Sequence, residues 1–291
     1  MKGRIIKGIG GFYYISTEQG IVRTRGRGIF RKEGITPMVG DLVEIEVLED
    51  GDGVVNAVEP RRNQFSRPPV VNVDCMVIVF APAEPSPNFD VIDKFLITAE
   101  SKGVTPVLCM NKKDLISEKD AEELTSRYRG VYPVLRVSAC TGEGIAELKT
   151  EISGKASALA GPSGVGKSSI TNLLIPDAGM ETSGLSHKTG RGRHTTRHVE
   201  IFRLSGGGML YDTPGFTSFD LSDVTEDELD SCYPEICERL GSCRFDDCHH
   251  IHEPGCVIRE AVSRGEIHPL RYESYIRNFE ELKEKRRKIY G

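Results

Sequence analysis

No apolar run in this chain approaches the roughly 18 residues needed to span a bilayer, and residues 1–10 lack the long apolar core of a secretion signal. Both absences lead to the expectation of a cytoplasmic protein. Internal repeats and low-complexity segments are missing as well, which sets aside repeat architectures. Positive charge is not in surplus either: 38 Lys and Arg stand against 43 Asp and Glu, for a net charge of −5. Composition alone therefore does not announce a nucleic-acid binder. What is present is an ordinary globular composition of 291 residues, 38% hydrophobic and 28% charged. That length suits about two domains, or three if some are small.

The distribution of charge says more than its sum. Residues 1–35 hold eight Lys or Arg (Lys2, Arg4, Lys7, Arg23, Arg25, Arg27, Arg31, Lys32) against Glu18 and Glu33. Lys283, Lys285, Arg286, Arg287 and Lys288 crowd the other end. The surplus acid lies between, as in a modular molecule with cationic outer parts. Cysteines divide too. Cys75, Cys109 and Cys140 sit singly in apolar segments and read as small core residues. Cys232, Cys237, Cys243, Cys248 and Cys256 cluster with His249, His250 and His252. Without a secretion signal, that cluster favours a metal over disulfides.

Three textures follow one another along the chain. Residues 1–65 read as short strands with glycine turns; Val43, Ile45 and Val47 alternate with Glu44 and Glu46, a strand with one wet face. Several such strands suggest a small β-barrel, whose closure removes exposed edges. Residues 61–69 read as a linker. Apolar runs at 75–80, 104–110, 131–137 and 156–160 then alternate with helical stretches at 90–102 and 118–129, the pattern of a sheet covered on both faces. Past Phe219 the chain is acidic and helical. A helix is expected over 222–229, with Thr225 and Glu228 spaced as a capping box. Tyr272, Ile276, Phe279 and Leu282 form the apolar stripe of a last helix. Domains are expected at 1–65, 66–220 and 221–291.

The sharpest chemical signal is Gly161-Pro162-Ser163-Gly164-Val165-Gly166-Lys167-Ser168-Ser169. It fits G-x-x-x-x-G-K-[ST] between an apolar strand and a helix. Glycines let backbone amides curl around phosphates, Lys167 neutralises the β- and γ-phosphates, and Ser168 meets Mg²⁺. Such a loop does not choose a base. Asn111-Lys112-Lys113-Asp114 does, since the Asp114 carboxylate accepts from both N1–H and the 2-amino group of guanine. Adenine offers a lone pair at N1 and no 2-amino donor, which disfavours an ATPase or kinase. Asn111 is expected to brace that loop and reach the other edge of the base. The Ala139 region of Ser138-Ala139-Cys140 offers an amide for the guanine O6, Asp212 a carboxylate for Mg²⁺ through water, and Gly215 an amide for the γ-phosphate.

These elements look like the five GTPase signatures in a permuted order, with the base-reading pair ahead of the phosphate loop. Together with Gly190-Arg191-Gly192-Arg193-His194-Thr195-Thr196-Arg197-His198 and Glu253-Pro254-Gly255-Cys256, the chain resembles the ribosome small-subunit biogenesis GTPase A family over nearly its whole length. The resemblance implies an OB-fold barrel, a circularly permuted α/β P-loop GTPase domain and a small, mostly helical zinc domain. It implies GTP hydrolysis stimulated by the small ribosomal subunit during late maturation, with contacts to its rRNA. It also implies zinc on Cys243, Cys248, His250 and Cys256, a closed Cys₃His set with a structural role. Thr196, or its neighbour Thr195, would close over Mg²⁺. Many GTPases place glutamine after Asp-x-x-Gly to orient water; this chain has Phe216. The family pattern then makes His194 the candidate for that task, an RNA contact or loop-shaping role being the alternative. Phe216 also leaves room for a non-catalytic RNA-binding assembly factor. Arg23, Arg25, Arg27, Arg31 and Lys32 on the barrel are candidates for RNA backbone contacts. No membrane partner is implied, and a monomer is expected.

Overall fold

The structure, a computed structural model, describes residues 1–28, 30, 34–176, 199–212, 216 and 221–290. The chain forms two compact units. The first holds Met1–Met76, Ile145–Leu159 and Lys167–Thr217, the second Val77–Gly144, Ala160–Gly166 and Ser218–Gly291.

Within the first unit, β1 (Lys2–Ile9), β2 (Phe12–Thr17), β3 (Gly20–Gly26), β4 (Leu42–Val47) and β5 (Gly53–Val58) run in the order β1-β2-β3-β5-β4. Pairing of β4 with β1 closes them into an OB-type barrel. The alternation read in the sequence holds where it faces the core: Val43 and Ile45 are buried and Glu44 and Glu46 exposed. Val47, at the strand's end, is exposed instead. Ile5, Ile15, Phe30 and Val55 complete the barrel core. Residues 61–69 are not a plain linker. They build a hairpin of β6 (Gln64–Ser66) and β7 (Pro69–Val71), because Phe65 and Val70 pair across it and both bury their side chains.

Next in the chain come β8 (Cys75–Phe80), β9 (Thr105–Met110) and β10 (Val134–Arg136), which from Val77 onward belong to the second unit. Strand β10 begins only at Val134, since Pro133 has no N–H to give a ladder. β11 (Ala156–Ala160), apart from its last residue, and the antiparallel pair β12 (Glu200–Arg203) and β13 (Met209–Asp212) return to the first unit. There β13 runs parallel to β11, and β12 pairs with β1 of the barrel. Strands β9 and β10 pair in parallel, and the buried apolar runs of β8 and β9 match the expected doubly covered sheet.

Helices α1 (Phe89–Ser101), α2 (Glu118–Thr125), α3 (Ile145–Glu151) and α4 (Lys167–Leu174) each follow a strand; the stretch expected to be helical to 129 is α-helical only to Thr125 and ends in a 3₁₀ turn, Ser126–Tyr128. Asn88 starts α1 by accepting from the amides of Asp90 and Val91. Beyond residue 221 the second unit adds α5 (Pro234–Cys237), α6 (Val257–Ser263) and α7 (Pro269–Tyr290). No α-helix forms over 222–229. Thr225 and Glu228 do bond as the capping pair, but the turn they close leads only into a short 3₁₀ helix, Leu229–Cys232. Pro234 blocks propagation a few residues later.

These C-terminal elements pack on α1 through Ile97, Leu229, Tyr233, Ile236, Tyr275 and Phe279. At their centre lies a fully buried guanidinium. Arg271 of α7 bonds Asp93 of α1 at 2.7 Å and Glu235 of α5 at 2.8 Å, with the Tyr233 ring 4.6 Å away. Tyr128 adds a 3.0 Å bond to Asp93. Arg271→Ala would strand two buried carboxylates and is expected to cost about 3–5 kcal/mol, seen as a lower urea midpoint for the second unit. Arg271→Ala unfolding at the wild-type midpoint would refute it.

Candidate functional site

In the second unit one buried amide joins three loops. Asn111 ends the chain's turn out of β9 and is 2% exposed. Its Nδ2 donates to the Val165 carbonyl at 2.8 Å, and its Oδ1 accepts from the Ala139 amide at 2.9 Å. The phosphate loop, the base-reading loop and the Ser138 loop are thus held by a single side chain. Glycine is obligatory where the loop turns. Gly161 (φ +140°) has the Val79 carbonyl oxygen 2.1 Å from any added Cβ, and at Gly166 (φ +95°) such an atom would stand 2.2 Å from Asn111 Nδ2. Gly166→Ala is therefore expected to push the amide off Val165. Strain plus a lost buried hydrogen bond should weaken GTP binding about a hundredfold, measurable by calorimetry.

Asp114 lies in a short 3₁₀ turn, Lys113–Leu115, and accepts from the Ser138 hydroxyl at 2.5 Å. That bond aims the carboxylate and leaves its second oxygen for other donors. Lys112 takes a left-handed conformation (φ 61°) and donates its ammonium to the Glu84 carbonyl. Lys113 turns to Glu143 at 2.6 Å and Glu118 at 3.3 Å, and the Glu143 bond foremost raises its pKa. Cys140 is exposed in the turn beyond Ser138 and is not the core residue its apolar neighbours suggested; Cys75 and Cys109 are buried.

Pro162, Ser163 and Gly164 complete the loop of the second unit, with Val165 buried. The chain then enters the first unit at Lys167, the opening residue of α4, followed by Ser168 and Ser169. Burial lowers the Lys167 pKa. Asp212 ends β13, half-buried. Burial and then the Glu200 charge raise its carboxyl above the usual range. A divalent cation would offset both, so a hydroxyl at Ser168 and this carboxylate are donors suited to Mg²⁺. Phe216 is fully buried and meets Phe65 edge-on at 5.4 Å. It is a core anchor with no part in orienting water. His194, Thr195, Thr196 and Gly215 lie outside the described residues, as do Arg31 and Lys32.

The cysteine cluster resolves into one set among the described residues: Cys243, Cys248, His250 and Cys256, with donor atoms within 4.8 Å of one another. His250 Nδ1 is 3.5 Å from both Cys243 Sγ and Cys256 Sγ, and those sulfurs are 3.9 Å apart. Bonds of about 2.3 Å to sulfur and 2.05 Å to nitrogen around a tetrahedral zinc require separations near 3.6 and 3.8 Å. The four side chains fit one zinc ion, with His250 ligating through Nδ1. Burial lowers the imidazole pKa, keeping it neutral for that purpose. The knuckle is pinned from outside. Tyr272 and Tyr275 donate to the carbonyls of His250 and His249, and Glu253 accepts three amides. Burial opposes the Glu253 charge, yet those amides hold its carboxyl down at about 2. Cys232 is a core residue, and Cys237, His249 and His252 are exposed. Sequence spacing alone left those four in play.

On the barrel, Arg23 is bound to Asp52 at 2.6 Å and Arg27 to Glu46 at 3.4 Å. Arg25 lies over the Phe12 ring at 4.5 Å. At the far end, Lys285 pairs with Glu281 and Arg286 with Glu226.

An OB-type barrel, an α/β domain with its base-reading loops ahead of its phosphate loop, and a Cys₃His module define a circularly permuted P-loop GTPase. The comparisons agree. The RsgA GTPase profile matches residues 58–222 and the RsgA N-terminal domain profile residues 2–55. The chain belongs to the RsgA GTPase family and is a GTP-hydrolysing enzyme. A "Small ribosomal subunit biogenesis GTPase RsgA" from Caldanaerobacter subterraneus is 45% identical over 100% of this chain and 98% of its own. One from Geobacillus is 43% identical over 98% of each. Among solved structures, YjeQ from Thermotoga maritima superposes with a TM-score of 0.85 at 36% identity, covering 97% and 98% of the two chains. YloQ, described as a circularly permuted GTPase, gives 0.84 at 36% identity over 98% and 95%. No described helix is long and apolar enough to cross a membrane.

Proposed function

We propose that this GTPase serves small ribosomal subunit biogenesis, binding the subunit through its rRNA and hydrolysing GTP to GDP and phosphate under its stimulation in the cytoplasm. The observation that carries the nucleotide reading is the Asn111 amide, which ties the base-reading loop to the phosphate loop. Asp114 reads guanine N1–H and the 2-amino group; the Ser138 and Ala139 amides are given to the Glu143 carbonyl and Asn111, so an amide for the guanine O6 comes from the turn that follows them. The amides of residues 161–166 and the Lys167 ammonium hold the phosphates, with Gly215 at the γ-phosphate. Mg²⁺, when bound, neutralises phosphate charge and is held by Ser168, Asp212 and Thr196. His194 orients the attacking water, a task the buried Phe216 does not perform. Zinc on Cys243, Cys248, His250 and Cys256 is structural. Domains at 1–65, 66–220 and 221–291 divide these tasks among RNA-binding barrel, GTPase core and zinc module, and the working unit is a monomer.

The barrel arginines Arg23, Arg25 and Arg27, with Arg31 and Lys32, contact rRNA phosphates. Arg25 on Phe12 also forms a stacking platform of the kind used for unpaired bases. The test is GTP turnover against added small subunits, large subunits and free RNA. A rate raised by small subunits alone supports the reading, and equal rates in all three overturn it. His194→Ala with saturating subunits is expected to lose single-turnover cleavage, and an unchanged rate removes His194 from catalysis. Subunit affinity should fall steeply with salt.

A further inference from the structure

Three charged residues stand side by side across three strands of the first unit. Lys7 on β1 is the register partner of Glu200 on β12, and Glu200 is the register partner of Asp212 on β13. Register partners on adjacent strands present their side chains on one face. Here the contact is realised: Lys7 Nζ donates to Glu200 Oε2 at 2.7 Å, with both side chains about 30% exposed. At the other end of β12, Arg203 donates to the Ser16 hydroxyl and the Thr17 carbonyl, each at 2.8 Å. The barrel is therefore fastened to both ends of the strand that lies against Asp212. Glu200 thus stands between the Lys7 ammonium and the Asp212 carboxylate on one face of three adjacent strands. A carboxylate next to a carboxylate is a costly arrangement unless a cation is shared between them.

We propose that Lys7 and Glu200 are positioning residues for the magnesium ion at Asp212: Glu200 supplies negative potential behind the Asp212 carboxylate, and Lys7, from the barrel, sets how much of it the ion feels. The inference rests on the reading of Asp212 as a magnesium ligand and deepens it. Its consequence is a route from the RNA-facing barrel to the nucleotide. An RNA phosphate that draws Lys7 away from Glu200 leaves Glu200 unmasked and the ion more tightly held.

The signs separate this role from simple docking of the barrel. Glu200→Gln keeps the shape and removes the charge, so magnesium affinity of the GDP complex is expected to fall about fivefold, the order for a unit charge near a divalent ion at intermediate dielectric. Lys7→Met unmasks Glu200 and should raise that affinity by a similar factor. In the Lys7→Met/Glu200→Gln double variant the Lys7 effect should shrink, because without Glu200 the ammonium is no longer held beside Asp212. The readout is the magnesium dependence of the dissociation rate of a fluorescent GDP analogue, which needs no turnover. Asp212→Asn is the reference. If it leaves the magnesium dependence unchanged, the reading of Asp212 fails and takes the proposal with it. If Asp212→Asn weakens magnesium while Glu200→Gln changes nothing, the proposal alone is overturned. Shifts of both single variants in the same direction, or a Lys7→Met effect undiminished in the double variant, also overturn it.

Discussion

Replacing Asp114 with Asn is expected to lower GTP affinity about a thousandfold and to create affinity for xanthosine triphosphate in its place. Guanine turns two donors toward residue 114, N1–H and the 2-amino group, and a carboxylate accepts both. Asn offers one acceptor and one donor. The donor meets the guanine amine head-on and leaves two desolvated N–H groups without a partner, the costly half of the hydrogen-bond asymmetry. Xanthine carries a carbonyl where guanine carries the amine, so its N1–H and C2=O match the amide. The surrounding frame tolerates the change. Ser138 donates to Asp114 Oδ1, and the Asn oxygen accepts the same bond, so the variant should fold and differ only in which base it holds. Titration with fluorescent GTP and XTP analogues measures both affinities. Undiminished GTP binding by Asp114→Asn would remove that carboxylate from base recognition.

Removing zinc is expected to have the largest effect on folding. Cys243, His250 and Cys256 already stand at tetrahedral spacing with Cys248 within 4.8 Å of them, and beyond the bonds to Glu253, Tyr272 and Tyr275 the peptide around them has no regular structure to hold it. Residues 238–256 contain no helix or strand, and Arg244, Asp246 and Asp247 are exposed. Without a cation, burial raises the Cys248 thiol to about 12, so the thiols would return as neutral groups in a loop with a thin core. Structural zinc in such modules supplies about 10 kcal/mol or more of apparent folding free energy. Chelation, or Cys248→Ser, should therefore melt the module and free Tyr272 and Tyr275 from the carbonyls they hold. The chain contains no Trp, so tyrosine fluorescence and near-ultraviolet dichroism report this directly. One zinc per chain by elemental analysis, lost together with the tyrosine signal, is the expected result. A chelated protein with an unaltered tyrosine spectrum would show that the ion is dispensable to the fold. Because Tyr233 and Tyr275 pack in the same core as Ile97 of α1, the loss should also lower the stability of the base-reading half of the second unit.

The chemistry of this protein is written in short range. Gly161 to Ser169, Asn111 to Asp114 and the spacing Cys243, Cys248, His250, Cys256 each carry their meaning within a dozen residues or so, because phosphates, bases and metals demand particular atoms from a compact stretch of chain. The barrel strand at 43–47 and the helix at 89–101 were equally legible, since burial on one face repeats with the period of the backbone. Misreadings came where a local pattern lacked its tertiary support. The capping pair Thr225 and Glu228 led into a 3₁₀ turn and not an α-helix, the segment expected as a linker folded into a hairpin over 64–71 through two buried side chains, and Cys140 turned outward from an apolar neighbourhood. Which distant residues meet was decided only by the tertiary structure. Asn111 reaches Val165 across 54 positions, Arg271 reaches Asp93 across 178, and Lys7 reaches Glu200 across 193. Strand register and helix packing bring such pairs together through the burial of many other side chains at once, and no window of sequence contains that sum.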